Sequence, residues 1–319
     1  MSLLHSAYLM ISYSMLRDID LYRNDPYPFQ DAIFKHLLWK GSDTLFGHEH
    51  NFSQIKNLRD FRRNVPIRDY NALSPYIEKA HKGEDYVLYG ERTNYFAKSS
   101  GTSGAKSKFI PVTGDNLHGC HFKGFMEMLA TYINDHPDTQ ILDGKALTLG
   151  GTITGKKYGL KTIWSGDLSG ILLKNSPDVV ELSRMPERSV SLISDFHEKI
   201  EKVCETCSGA DITNFSGVPS WNLIMLKAIL DYTGKRNISE VWPNLELFMH
   251  GGTSFEAYRK QFHEFIPSGR MRYLENYNAS EGYFAFQDDL HDPSMLLTAD
   301  NGVFYEFATL QDECGHRDV

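Results

Sequence analysis

From residue 91 onward, short apolar runs alternate with longer stretches of helical periodicity. This alternation constrains the fold more than any other feature of the chain. Ala146-Leu147-Thr148-Leu149 runs into Gly150-Gly151, and a helix is predicted over 190–207. Ile212-Thr213-Asn214-Phe215 precedes a helical pattern at 221–232. Leu245 to Met249 runs into His250-Gly251-Gly252, a helical pattern spans 255–265, and a strand is predicted over 271–276. Strands separated by helices pair through crossovers, so their sheet is largely parallel and covered on both faces. The predicted class is α/β, with mixed and mostly parallel sheets flanked by helices. Near the end, Asn301-Gly302 lies between two apolar runs, which predicts a C-terminal β-hairpin.

The first ninety residues read as mainly helical. Phe29, Ile33, Phe34, Leu37 and Leu38 recur at helical spacing before Gly41. Short helices follow, with breaks expected at Pro66 and Pro75. Arg59, Arg62 and Arg63 read as a solvated helix face. The apolar N-terminus is interrupted by Ser and Tyr and is too short to span a bilayer, so it reads as a packed helix. No membrane partner is expected, and the absence of a clear signal points to the cytoplasm.

The formal net charge of -8 gives no reason to expect a nucleic-acid partner, although local lysines can hold a small anion. Four cysteines in 319 residues suit a reducing compartment. Cys204 and Cys207 have zinc spacing, with Cys314 and His316 as conceivable further ligands. The plainer reading is stronger, because the pair falls in a predicted helix and no second close pair follows.

Three strand-end loops carry the candidate chemistry. In "SSGTSGAKSK", residues 99–108, Gly101 and Gly104 let the backbone turn and offer consecutive N–H groups to an anion. Ser99, Ser100, Thr102 and Ser103 add hydroxyls, and Lys106 and Lys108 add charge. The spacing from Gly101 to Lys106 excludes a Walker A loop. The alternative is a polar hairpin tip. "YNASEG", residues 277–282, follows a predicted strand, and Glu281 placed there suits Mg²⁺, which takes carboxylate together with phosphate oxygens. Tyr277 offers a ring to a purine, although packing is the common fate of such a residue. "MHGGTS", residues 249–254, is the third loop. Ligands of open α/β sheets gather at the carboxyl ends of strands.

Taken together, these loops resemble the auxin-responsive acyl-acid amido synthetase family within the adenylate-forming superfamily. "FSGVPSWNLIML", "PNLELFMHGGTSFEAYRKQF" and "PFQDAIFKHLLWKGSDTLFGHEHNF" carry the likeness along most of the chain. The resemblance implies an N-terminal adenylating domain, with 1–90 as a helical opening segment and 91–319 as the nucleotide- and acyl-binding part. It implies that Ser99, Ser100, Gly101, Thr102 and Ser103 wrap the phosphates of ATP and that Lys108 closes the loop. Tyr277 and Ser280 would lie against the nucleotide, Glu281 would hold Mg²⁺, and Gly252 and Thr253 would line the adenine side. Val218 and Trp221 would lie near the acyl pocket. The implied partners are a small carboxylic acid and an amine, such as an amino acid, with the oligomeric state left open. The later ribose-binding motif and the small C-terminal domain of the family are not found before Val319, so the expectation is a truncated and poorly active chain. A silent nucleotide-binding fragment and an acyl-CoA ligase relative are the competing readings.

Overall fold

The computed structural model of the protein describes residues 3–99 and 107–307. Five helices come first: α1 (Leu3–Asn24), α2 (Tyr27–Gly41), α3 (Leu45–Glu49), α4 (Leu58–Asn64) and α5 (Tyr70–His81). Strands β1 (Tyr95–Ser99) and β2 (Lys108–Val112) follow. Next come a π-helical segment, Asn116–Phe122, and α6 (Lys123–Asp135). The middle of the chain holds β3 (Lys145–Thr148), β4 (Ile153–Tyr158), β5 (Lys161–Gly166), α7 (Leu168–Asn175), α8 (Asp178–Glu181), β6 (Arg184–Met185) and α9 (Arg188–Ser191). Then come α10 (Phe196–Cys207), β7 (Ile212–Gly217), α11 (Pro219–Thr233), β8 (Leu247–Gly251) and α12 (Arg259–Phe265). The described chain closes with β9 (Arg272–Ala279), β10 (Gly282–Phe286) and β11 (Leu296–Leu297).

The large sheet has the order β11-β10-β9-β8-β7-β3-β6. Every pair from β6 to β9 is parallel, and β10 and β11 join antiparallel. The small sheet, β2-β1-β5-β4, has one parallel pair, β1 with β5. The mixed, mostly parallel architecture flanked by helices is therefore present.

Pleating explains why the large sheet is covered on both sides. Phe248 of β8 packs with Phe215 and Phe262 against α11 and α12, with ring centroids 4.3 and 4.8 Å away. Its neighbours Leu247 and Met249 point the other way, toward Ile19 and Tyr22 of α1 and Met128 and Tyr132 of α6. Each such fully buried apolar side chain contributes about 2 kcal/mol of transfer free energy. The expected packing of the N-terminal helix is seen here, and Tyr8 adds a hydrogen bond from its hydroxyl to the Met126 carbonyl at 2.8 Å.

Several local expectations are corrected. Pro75 does not end a helix but lies inside α5. The carbonyl of Asn71, which a residue-75 N–H would normally serve, accepts from Ser74 Oγ at 2.8 Å instead. The helix expected over 190–207 is split, and that expected over 255–265 begins at Arg259. No hairpin forms around Asn301-Gly302 among the described residues. Asn301 is buried and its amide donates to the Tyr283 carbonyl, so this turn is tied back onto β10. The basic cluster is the solvated helix face expected: Arg59, Arg62 and Arg63 are exposed, and Arg62 and Arg63 pair with Glu306 and Asp60 at 3.0 and 3.5 Å. Cys204 and Cys207 are free, buried and packed in the core, and Cys314 and His316 lie outside the described residues.

Candidate functional site

The β1–β2 hairpin opens at the Ser99–Lys108 pair, the last rung of its ladder. Ser100, Gly101, Thr102 and Ser103 lie outside the described residues. Lys108 is partly buried, and its ammonium lies over the ring of Tyr70, 5.2 Å from the centroid. Tyr70 also grips the strand. Its hydroxyl accepts from the Phe109 N–H at 2.9 Å and lies 3.4 Å from the Phe109 carbonyl. Between α5 and β2 runs an open groove of about 530 Å³, with Asn71, Ser74 and Glu78 on one wall and Lys108 and Phe109 on the other. His81 sits against the same hairpin, stacked on Phe109 at 4.4 Å, with Nε2 2.8 Å from Ser165 Oγ. Burial holds its pKa below the usual imidazole value, with the Lys156 charge acting the same way.

At the carboxyl ends of β7 and β8 the structure brings two expected residues together. Gly252 has φ +80°, and a Cβ there would lie 3.3 Å from Val218 Cγ2. Its neighbour Gly251 is required for a different reason: a Cβ would meet the Asn276 carbonyl at 2.3 Å. Asn276 fastens this junction by donating from Nδ2 to the His250 carbonyl at 3.0 Å. Val218 precedes α11, which starts with Pro219 in its first turn, a position where the missing N–H costs nothing. Trp221 is 56% exposed and meets Phe196 edge to face at 5.0 Å. Thr253 is exposed on the same loop. His250 is buried and stacks on Phe255 at 4.1 Å; burial, then the Arg259 charge, push its pKa down to about 4.

"YNASEG" is not the post-strand loop expected from sequence. Tyr277, Asn278 and Ala279 complete β9, Ser280 and Glu281 form the turn, and Gly282 begins β10. Tyr277 is 53% exposed beside Phe284, which leaves one side of its ring open for stacking. The π-helical segment buttresses this hairpin. His121 Nδ1 is 2.8 Å from Asn278 Oδ1, and Asn116 Nδ2 donates to the Glu281 carbonyl at 3.4 Å. Burial pushes the His121 pKa down to about 4, so the imidazole is neutral and its Nδ1–H donates to Asn278.

Tyr70, Asn116 and His121 were not among the residues expected from sequence. A tyrosine, an asparagine and a histidine in helical surroundings carry no local signature. Their partners lie 39, 165 and 157 positions away.

The Glu281 carboxylate is exposed and makes no ion pair among the described residues. No group of three or more His, Cys, Asp or Glu able to hold a metal occurs among the described residues. One free carboxylate beside a phosphate-bearing ligand still fits Mg²⁺, which keeps waters and takes few protein ligands. It does not fit a zinc-type cage. The strand ends and the turns beside them thus offer an exposed aromatic face, a free carboxylate, a lysine and two glycines that allow close backbone approach.

A family model described as the GH3 family N-terminal domain matches residues 15–271. The chain is 30% identical over 105 residues to the putative indole-3-acetic acid-amido synthetase GH3.9 of Arabidopsis thaliana, a match covering 33% of this chain and 18% of that protein. It is 29% identical over 119 residues to indole-3-acetic acid-amido synthetase GH3.15 of the same plant, covering 37% and 19%. Among solved structures, the GH3.15 acyl acid amido synthetase in complex with 2,4-DB superposes with a TM-score of 0.75 at 15% identity, covering 91% of this chain and 60% of that one. A 2-hydroxyisobutyryl-CoA ligase holding 2-HIB-AMP and CoA superposes with a TM-score of 0.54 at 11% identity, covering 86% and 54%. At such identities the superpositions establish the fold. The chain spans about 60% of the length of the solved amido synthetase. No described helix is long and apolar enough to cross a membrane.

Proposed function

The chain belongs to the GH3 family, and from that premise we propose that it activates a carboxylic acid with ATP and passes the acyl group to an amine, in the first instance an amino acid. The observation that carries this reading is the hairpin mouth. Ser99 and Lys108 face each other across the ends of a loop rich in glycine and hydroxyls, within the stretch matched by the family.

In this reading the loop N–H groups and the hydroxyls of Ser99, Ser100, Thr102 and Ser103 cradle the phosphates, with Gly101 allowing close approach. Lys108 offsets their charge. Tyr277 stacks on the base beside Ser280, and Gly252 and Thr253 border it. Val218 and Trp221 line the acyl side. The substrate carboxylate, already ionised near neutral pH, attacks the α-phosphorus and pyrophosphate departs, so no general base is needed. Charge that grows on the phosphoryl oxygens would be met by the loop donors and Lys108. Glu281 would hold Mg²⁺, which supplies Lewis-acid stabilisation of those oxygens. The amine then attacks the acyl carbonyl and AMP leaves. The three cysteines among the described residues are free and buried, which suits a reducing cytoplasm.

Calorimetric titration with ATP·Mg²⁺ tests the loop. A Ser100→Ala, Thr102→Ala double variant should bind about tenfold more weakly, as two lost hydrogen bonds of ordinary strength imply. Equal affinity would remove the loop from the site. The likeness to a CoA ligase makes a thiol the second candidate acceptor. A screen of amino acids against CoA, with the same carboxylic acids, separates the two.

A further inference from the structure

Lys108 is held by a residue with no sequence signature of its own. Tyr70 is the first residue of α5, whose start is fixed by Asp69 accepting from the Ala72 N–H at 2.9 Å. From this fixed point it makes two kinds of contact with the lip of the glycine loop. Its hydroxyl takes the Phe109 N–H at 2.9 Å and reaches the Phe109 carbonyl at 3.4 Å, clamping the peptide next to Lys108. Its ring lies under the Lys108 ammonium at 5.2 Å, within cation–π range. Among the described residues no ion pair engages Lys108, and the face of Tyr70 is the described cradle for its charge. The groove of about 530 Å³ beside it leaves the lysine stem room to swing.

We propose that Tyr70 is the positioning residue for the loop-closing lysine, resting on the nucleotide reading above. Its hydroxyl fixes where the lysine leaves the strand. Its ring parks the ammonium when the phosphates are absent and releases it to them when they arrive. A ring is suited to this task because it holds the cation without neutralising it. A carboxylate in the same place would compete with phosphate for the charge. Two variants divide the roles: Tyr70→Phe keeps the ring and loses the clamp, whereas Tyr70→Leu loses both.

The test uses the full chain with its lysines reductively ¹³C-methylated. The Lys108 signal, assigned by its loss in Lys108→Arg, should lie upfield of the other lysines because of the ring current. It should move downfield when ATP·Mg²⁺ is added. The upfield position should persist in Tyr70→Phe and vanish in Tyr70→Leu. In parallel titrations, Lys108→Ala should weaken ATP binding about tenfold and Tyr70→Phe, which loses only the clamp, should weaken it several-fold; Tyr70→Leu should bind no more weakly than Tyr70→Phe, because the ring it also loses holds the cation only in the free state. A wild-type Lys108 signal with no ring shift would overturn the cradle whether or not nucleotide binds. If Lys108→Ala weakens binding and Tyr70→Phe does not, Tyr70 has no positioning role although the nucleotide reading stands. If Lys108→Ala binds as the wild type does, the lysine's role falls and the Tyr70 inference falls with it.

Discussion

Replacing Glu127 by Gln should stabilise this protein increasingly from pH 4.5 up to neutral and alkaline pH, and leave it unchanged below pH 4.5. Glu127 lies on α6 and is only 1% exposed. Both carboxylate oxygens are buried, and the Tyr22 hydroxyl nearby offsets only a small part of the cost of that burial. Lys123 is 3.8 Å away, but its ammonium is already engaged by Asp300 at 2.7 Å. Two acids therefore share one cation, and Asp18 adds a further negative charge. Burial is the larger cause, and the pKa is pushed from 4.5 up to about 7.

The sign follows from proton counting. Between pH 4.5 and 7 the native chain holds a proton on Glu127 that the unfolded chain has lost. Stability contributed by this site is thus complete below 4.5 and falls as pH rises to 7. Moving a carboxyl that far costs about 3 kcal/mol once both states are ionised. Gln mimics the neutral acid and pays none of it. Urea unfolding at pH 5, 6, 7 and 8 should show the variant gaining on the wild type by about 1.4 kcal/mol per pH unit up to pH 7. The rival outcome comes from the Lys123 contact: were it a productive buried ion pair, breaking it would cost roughly 3–5 kcal/mol. A Glu127→Gln protein that is less stable at pH 8 would refute the reasoning.

Glu281→Gln should reduce the dependence of nucleotide binding on Mg²⁺ while leaving the unfolding midpoint in place, since its carboxylate is exposed; unchanged Mg²⁺ dependence in calorimetry would exclude it as the ligand. Gly251→Ala should destabilise by about 2 kcal/mol or more, because the added methyl meets backbone of β9 rather than a movable side chain, and denaturant unfolding reads this directly. Phe248→Ala should cost about 3–5 kcal/mol by the same assay, since its ring stacks on two others in a fully buried site.

The parallel strands were legible because each is a continuous apolar run that ends in glycine or a polar loop. Leu247, Phe248 and Met249 must all be apolar when both faces are covered. The β4–β5 hairpin was not legible for the opposite reason. In Ile153–Tyr158 the interior positions are exposed, so no apolar pattern marks the strand. Asn301-Gly302 looked like a hairpin turn because its flanks are apolar. Those flanks instead serve the core through Ala299 and Val303, while Thr298 Oγ1 bonds the Tyr283 carbonyl at 3.0 Å. The glycine-bearing candidate loops could be named from sequence because a loop's needs are written locally. Residues that grip the strands beside them, such as Tyr70 on Phe109 and His121 on Asn278, meet their partners only after folding.

Glu127 has a counterpart of opposite sign, and together they fix where the fold is most stable. His121 and His250 are both buried, and burial pushes each from 6.5 down to about 4. Between pH 6.5 and 4 the unfolded chain protonates these rings and the native chain does not. Their contribution is complete above 6.5 and is lost as pH falls, by about 1.4 kcal/mol per unit for each ring. His81 is shifted in the same direction. Below pH 6.5 two falling imidazole contributions outweigh the one rising carboxyl contribution, so stability drops toward acid. From 6.5 to 7 only Glu127 acts among these groups, and stability drops toward alkali. The predicted maximum lies near pH 6.5. The limbs can be separated, since Glu127→Gln should flatten the alkaline side and steepen the acid side. His121→Gln, which keeps a donor for Asn278, should remove about half of the imidazole contribution on the acid side. A His121→Gln protein with the wild-type slope between pH 4.5 and 6.5 would show that His121 is not held neutral by its burial.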